Sequence, residues 1–243
     1  METEKTTRLG TLYGVGVGPG DPELITLKAI NVLNKVERVF AASSSDNEYS
    51  IAFNIVSKHL KNRDGIENLK FPMTRDPSAL ERAWHENARR VLQELRQGKD
   101  VGFITLGDPL TYSTFCHLMR KARELEPGLR VVSIPGITSY HAAAARVNTS
   151  IAQGTRGFYV VSGLNGGLDI KEALNNADTV FVLKAHKRFK QIKTILEDLG
   201  LEDKAILVKK LGLNGEEVIK SLSDIDAHSS LPYLSLVIIQ NPE

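Results

Sequence analysis

Residues 12–29, LYGVGVGPGDPELITLKA, constrain this chain more than any other stretch. Leu12, Tyr13, Val15 and Val17 favour a strand, while Gly14, Gly16 and Gly18 leave room for a second backbone or a ligand to approach. Pro19 fixes a turn, Gly20 is suited to a positive φ, and Asp21 stands before Pro22 as a helix cap. The pattern predicts a strand, a glycine turn and one helix continuing through Leu24, Ile25, Leu27 and Lys28. Such a unit opens an α/β fold, and its glycines serve either backbone packing or a ligand. A dinucleotide-binding turn would need an acidic residue closing the next strand. That strand, residues 38–42, runs instead into Ser43, Ser44 and Ser45.

The alternation of strand and helix continues along the chain. Ile51, Ile55, Val56 and Leu60 share a helical face, Arg63-Asp64-Gly65 marks a turn, and a long helix capped by Asp76 or Ser78 runs to Gly98. Its charged residues, Glu81, Arg82, Glu86, Arg89 and Arg90, read as a solvated face. Residues 101–106 form a continuous apolar run, as a buried parallel strand does, and residues 129–134 form another strand. Both end in glycine turns with polar side chains, where open α/β sheets bind ligands. The pattern restarts after Gly154, with strands predicted at 158–163, 179–183, 205–208 and 234–239 and a helix through Phe189, Ile192, Ile195, Leu196 and Leu199. The expected architecture is two α/β lobes, residues 1–137 and 138–243, with a ligand cleft between them.

Charge and cysteine usage narrow the partners. A net charge of +2 gives no field that argues for nucleic acid. The single Cys116 excludes an internal disulfide framework and fits a reducing cytoplasm. The polar opening METEKTTRLG lacks the apolar core of a signal peptide, and no apolar run has the length of a membrane span. The six histidines are scattered without metal-ligand spacing, so no protein-bound metal is expected.

Three motifs, taken together, carry a resemblance. GVGPGDPELIT ending at Thr26, GDPLTYST at residues 107–114 and PGITSYHAAAA at residues 135–145 match the tetrapyrrole methylases in order and spacing. That family transfers methyl groups from S-adenosylmethionine (SAM) to corrinoid and sirohaem precursors. FPMTRD at residues 71–76, with TLGDPLTYSTF at 105–115, is most similar to the C20-methyltransferases of cobalamin synthesis, which act on precorrin-2 or cobalt-factor II. Two other readings stay open: a methylase of the same fold acting on another tetrapyrrole position or a macromolecule such as ribosomal RNA, and a non-catalytic SAM-binding protein.

The resemblance implies roles for particular positions. SAM would be bound by Leu106, Gly107, Asp108, Leu110, Ser113, Thr114, Thr138, Ser139, Leu183 and Gly212. Asp108 could accept a hydrogen bond from the ligand or cap the helix that follows it. Pro19, Lys28, Arg75 and His141 are candidates on the substrate side, the basic ones because the substrate carries several carboxylates. Sirohaem-forming members have an aspartate, assigned as proton acceptor, at the end of the second strand. Ala41-Ala42-Ser43 stands there, so the catalytic base is left unassigned. The basic proton donor of those members is likewise replaced near Met73 and Thr74. A homodimer is also implied.

Overall fold

The computed structural model describes residues 8–44, 51–61, 66–74, 76–153, 155–165 and 168–241. Backbone contacts divide the chain into two compact units, Met1–Thr138 and Ser139–Glu243. The first holds β1 (Leu12–Gly16), α1 (Leu27–Leu33), β2 (Arg38–Ser44), α2 (Ile51–Ser57), β3 (Ile66–Phe71), α3 (Pro77–Leu95), β4 (Val101–Thr105), α4 (Thr114–Leu125) and β5 (Val131–Ile134). Its strands pair in the order β3-β2-β4-β1-β5, all parallel, with Leu12 opposite both Val101 and Val131. Phe40, Leu92, Phe103, Phe115 and Leu118 fill one side of this sheet, and Val15, Ala29, Leu33, Ile55 and Ile104 fill the other. Burial on both faces explains why β4 reads as an unbroken apolar run.

The first turn departs from the sequence pattern. Instead of one helix, the chain makes a 3-10 turn at Pro22–Leu24, where Asp21 accepts from the Glu23 N–H at 2.9 Å. Ile25 is then extended, and Thr26 Oγ1 accepts from the Ala29 N–H at 3.1 Å to open α1 afresh. Two capping side chains so close together each offer the backbone a local hydrogen bond, and the second ends what the first began. The positive φ falls on Gly18 (86°) rather than Gly20, because Gly18 is the residue that bridges to Gly107.

Arg90 on α3 is also not the solvated charge that the pattern suggests. Its Nε and Nη2 donate to Glu67 on β3 at 2.9 and 2.7 Å, and its Nη1 donates to Glu94 at 2.9 Å. The buried Glu94 carboxylate also accepts from Lys99 at 2.6 Å, and these donors hold its carboxyl below the usual range.

The second unit holds α5 (Ser139–Val147), β6 (Gly157–Ser162), α6 (Leu168–Leu174), β7 (Ala177–Leu183), α7 (Phe189–Asp198), β8 (Ala205–Lys209), β9 (Glu217–Ile219) and β10 (Ser235–Gln240). The strand order is β6-β7-β10-β8-β9. β6 and β7 are parallel, while β10 runs opposite to both its neighbours and β9 opposite to β8. β6, β7 and β8 therefore end at one edge, where β10 begins. Val180, Val182, Ile192, Leu196, Leu207 and Val237 pack on one face, and Ala143, Phe181, Val208, Leu236 and Ile238 on the other. Among the described residues no helix is long and apolar enough to cross a membrane.

Candidate functional site

A sheet whose strands are all parallel gathers every carboxyl end at one edge. In the first unit β4, β1 and β5 are neighbours, and each runs into a glycine turn. Gly18 N–H donates to Gly107 O at 3.3 Å, and Gly107 N–H donates to Gly18 O at 2.7 Å. A Cβ on Gly136 would stand 2.2 Å from Gly107 O, and one on Gly16 would stand 2.7 Å from Gly136 N. These two positions admit only glycine because three backbones meet there. At Gly107 the requirement is instead a φ of 71°, and a Cβ there would approach Ile137 O and Thr138 Cα no closer than 4.0 Å.

Asp108 ties two of these turns together. Its Oδ1 accepts from the Leu110 N–H at 2.9 Å, and its Oδ2 accepts from the Gly136 N–H at 3.1 Å. It is not the cap of α4. That cap is Ser113, whose buried Oγ accepts from the Phe115 N–H at 3.1 Å and lies 2.9 Å from Thr105 Oγ1. The local sequence explains the division: an Asx turn at Asp108 closes before Ser113 begins the helix. Oδ1 also accepts from Thr111 Oγ1 at 3.4 Å, and since a carboxylate oxygen accepts up to two hydrogen bonds, Asp108 keeps capacity for a further donor at Oδ2.

The structure thus brings Leu106, Gly107, Asp108, Leu110, Ser113, Thr114 and Thr138 to one edge of the first sheet. Leu106 is partly buried, Leu110 is exposed, and Thr114 is the first residue of α4. Pro19 is buried in the β1 turn, and Lys28 is exposed on α1. Arg75 lies outside the described residues. In the second unit Ser139 opens α5, and His141 is exposed on it. Leu183 ends β7 opposite Leu236 of β10, which in turn faces Val208 of β8. Gly212 follows β8 with a φ of 70°, and its N–H donates to Glu216 at 2.7 Å. Glu216 also accepts from Arg146 Nε at 2.5 Å, and the guanidinium together with the Gly212 N–H holds its carboxyl below the usual range. Leu183 and Gly212 share the edge at which β6, β7 and β8 end.

Two residues with no assignment from sequence stand out at these edges. Tyr112, inside the GDPLTYST turn, has a φ of 49° and is 53% exposed. Both ring nitrogens of His186, just beyond β7, are buried without a hydrogen-bond partner, and the ring lies 5.1 Å from Tyr233. Burial pushes the His186 imidazole below its ordinary pKa, and the neighbouring Lys187 and Lys184 add to this. Neither has a signature in sequence: left-handed tyrosine and orphaned imidazole are products of tertiary packing. Among the described residues no three His, Cys, Asp or Glu side chains are grouped as a metal site.

Residues 11–226 match the family described as tetrapyrrole (corrin/porphyrin) methylases. The cobalt-precorrin-2 C(20)-methyltransferase of Salmonella typhimurium is 33% identical over 230 residues, covering 95% of this chain and 96% of its own. The precorrin-2 C(20)-methyltransferase of a Sinorhizobium species is 27% identical over 238 residues, with 95% of each chain covered. The fold matches that of the Thermus thermophilus uroporphyrin-III C-methyltransferase solved with S-adenyl homocysteine, with a TM-score of 0.69, 23% identity and coverage of 95% of this chain and 92% of that one.

Proposed function

Because the chain belongs to the tetrapyrrole (corrin/porphyrin) methylases, we propose that it is a methyltransferase carrying a methyl group from SAM to C20 of precorrin-2 or cobalt-factor II in cobalamin synthesis. The observation that carries this reading is the near full-length likeness to a relative named for that reaction. Metal-free and cobalt-bearing substrates are both retained, since relatives named for each match over nearly the whole chain.

SAM brings a methyl group already activated on a sulfonium, so the protein's work is to align two reactants and keep water away. Alignment of this kind lowers a barrier by roughly 7–11 kcal/mol. In the first unit the proposed donor-binding residues are Leu106, Gly107, Asp108, Leu110, Ser113, Thr114 and Thr138. Gly107, whose N–H and C=O are both paired with Gly18, leaves the space beside its Cα clear, and Asp108 offers its remaining acceptor capacity. Ser113 holds the start of α4 in place, because its hydroxyl is committed to Phe115 and Thr105. Ser139, Leu183 and Gly212 are the donor-binding residues proposed for the second unit. The exposed Lys28 and His141 are proposed to meet substrate carboxylates, and Pro19, buried in the turn after β1, is proposed on the substrate side with them. We further propose a homodimer working in the cytoplasm, where Cys116 stays reduced.

Incubating the protein with SAM and either precorrin-2 or cobalt-factor II tests the reading. The product should carry one added methyl by mass spectrometry, placed at C20 by NMR. Methylation at another carbon, or turnover only with ribosomal subunits, would replace it.

A further inference from the structure

The turn after β1 is held at both of its ends. Residues 18–25 include two glycines, Gly18 and Gly20, so their own backbone preferences do little to fix their shape. The bonds within the stretch are local. Asp21 Oδ1 accepts from the Glu23 N–H at 2.9 Å, Asp21 O from the Leu24 N–H at 3.1 Å, and Pro22 O from the Ile25 N–H at 3.4 Å. Among the described residues, two sets of hydrogen bonds tie the stretch to the rest of the unit. At one end Gly18 exchanges backbone bonds with Gly107. At the other, Pro22 O lies 3.0 Å from Nε2 of His59. A carbonyl oxygen only accepts, so His59 carries a proton on Nε2 and donates it.

His59 comes two residues after α2, and its own place is fixed independently of the turn. Its N–H donates to Val56 O at 2.8 Å, and both Val56 before it and Leu60 after it are buried. Asn34, which closes α1, donates from Nδ2 to His59 O at 3.2 Å and to Ile30 O at 3.0 Å. Its Oδ1 accepts from the Lys61 N–H at 2.9 Å. His59 therefore meets the segment 22–34 at both ends, with its ring at Pro22 and its carbonyl at Asn34. A residue 37 positions from Pro22 thus closes a ring of bonds around the turn and α1. Neither helix propensity nor turn sequence supplies that closure.

We propose that His59 is a positioning residue: by holding Pro22 it sets the turn after β1 and, through the Gly18–Gly107 exchange, the donor-binding turn. What those turns bind rests on the methyltransferase reading, whereas the brace itself rests on the hydrogen bonds. The path from His59 is short and runs mostly through backbone. It passes from Pro22 to Gly18 and Gly107, and from there to Asp108, whose Oδ2 accepts from the Gly136 N–H. Without the brace, Gly18 and Gly20 let the turn drift while every proposed ligand-binding side chain stays in the protein. Such drift spoils alignment rather than binding, and a displacement of about 1 Å is enough to lower turnover about 100-fold. An interaction of this kind shows in kcat and leaves KM nearly alone.

The test compares His59→Phe and His59→Gln in the full-length protein. Phenylalanine keeps a ring and removes the donor, while glutamine brings an amide N–H to about the reach of Nε2. Turnover is measured with SAM and cobalt-factor II, melting by circular dichroism, and amide exchange of Gly18 and Gly107 by NMR of protein labelled at glycine nitrogen. His59→Phe should lower kcat about 10- to 100-fold, with both KM values within about threefold of the wild type. Exchange at Gly18 and Gly107 should quicken about tenfold or more in the same variant. His59→Gln should bring kcat and exchange back to within about threefold of the wild type, at temperatures well below the melting of either variant. Wild-type kcat in His59→Phe, a raised KM at unchanged kcat, or a Gln variant as slow as the Phe variant would overturn the positioning role. Unchanged exchange at Gly18 and Gly107 would overturn it too, as would a loss of turnover that follows the unfolded fraction. A wild type that methylates no tetrapyrrole would overturn the methyltransferase reading instead, and exchange at Gly107 would then decide the brace by itself.

Discussion

The two sheets close their carboxyl edges by different means. In the first unit, β4, β1 and β5 end in glycine turns packed so tightly that side chains are excluded at Gly16 and Gly136. In the second, β7 and β8 run into lysines: Lys184 and Lys210 take φ values of 56° and 48° directly after their strands. β10 also runs the other way between them, so the second edge mixes strand ends with a strand start. Where the paired strands β1, β4 and β5 give way to their turns, the first edge uses glycines that permit the conformation. Directly after β7 and β8, the second uses lysines that resist it and are held there by their surroundings, with Tyr112 and Gly212 reversing the roles further along the turns.

Substitution at the glycines breaks this comparison most sharply. Gly136→Ala puts a methyl group 2.2 Å from Gly107 O, and because the obstacle is backbone the turns must separate. The expected cost is about 3 kcal/mol, the upper end of overpacking, with the melting temperature lowered by roughly 2–4 °C for each kcal/mol. Gly163→Ala is the matched change in the second unit, where the nearest atom is Leu183 O at 3.1 Å. Its neighbours need to give by only a few tenths of an ångström, so its cost should be the smaller. Thermal unfolding of both variants settles the order, and equal losses would mean that the two edges are equally rigid.

Asp108→Ala comes next in size. It leaves the N–H groups of Leu110 and Gly136 without their acceptor, for a loss of roughly 1–3 kcal/mol of stability. If the same carboxylate also holds SAM, affinity falls roughly 10- to 150-fold as well. Asp108→Asn keeps one oxygen and should recover part of the stability. Calorimetry with SAM on the folded Asn variant then separates the two roles, and unchanged affinity would leave Asp108 a turn residue alone.

The asymmetry between the edges also governs what the sequence reveals. Glycine turns are written in residue type, so the strand ends of the first unit, and the cluster of Gly107, Asp108 and Thr138, are legible as motifs. Lys184 and Lys210 look like any surface lysine. Periodicity identifies β10 as a buried strand but carries no direction, and its antiparallel placement comes from pairing with β7 and β8. The short β9 and α6 leave too few residues for a periodic signal. Where two local rules compete, as at Asp21 and Thr26, sequence shows both caps without showing which of them ends the helix. Arg90 looks solvated because its partner Glu67 lies on β3, 23 positions away in the chain. Tyr112 sits within a readable motif, yet its strain and exposure appear only once the turn is folded.

Relieving a strained lysine should have a smaller effect of opposite sign. Lys210→Gly removes the left-handed penalty, partly offset by glycine's greater freedom in the unfolded chain, so a net gain of up to about 1 kcal/mol is expected. Chemical denaturation with an unchanged slope would register it as a higher midpoint. A loss instead would show that the Lys210 side chain contributes more than its backbone strain costs, which would narrow the contrast between the two edges.

The finest test uses pH and one histidine from each unit. Burial lowers the pKa of both His117, on α4, and His186, beyond β7, with Arg120 assisting the first and Lys187 and Lys184 the second. A histidine whose folded pKa lies below its unfolded value of about 6.5 leaves stability untouched above that pH. Below it the unfolded chain takes up the proton first, so stability falls until the folded pKa is passed. His186 should dominate, because its ring nitrogens are buried without partners, whereas His117 is exposed and stacks its ring on Trp84 at 4.3 Å. His186→Phe keeps a ring against Tyr233 and removes the titration, so the variant should lose less melting temperature than the wild type between pH 7 and pH 5. His117→Phe should leave that slope nearly as steep as the wild type's. The reverse ranking would mean that the second edge admits water to His186 and is the looser of the two.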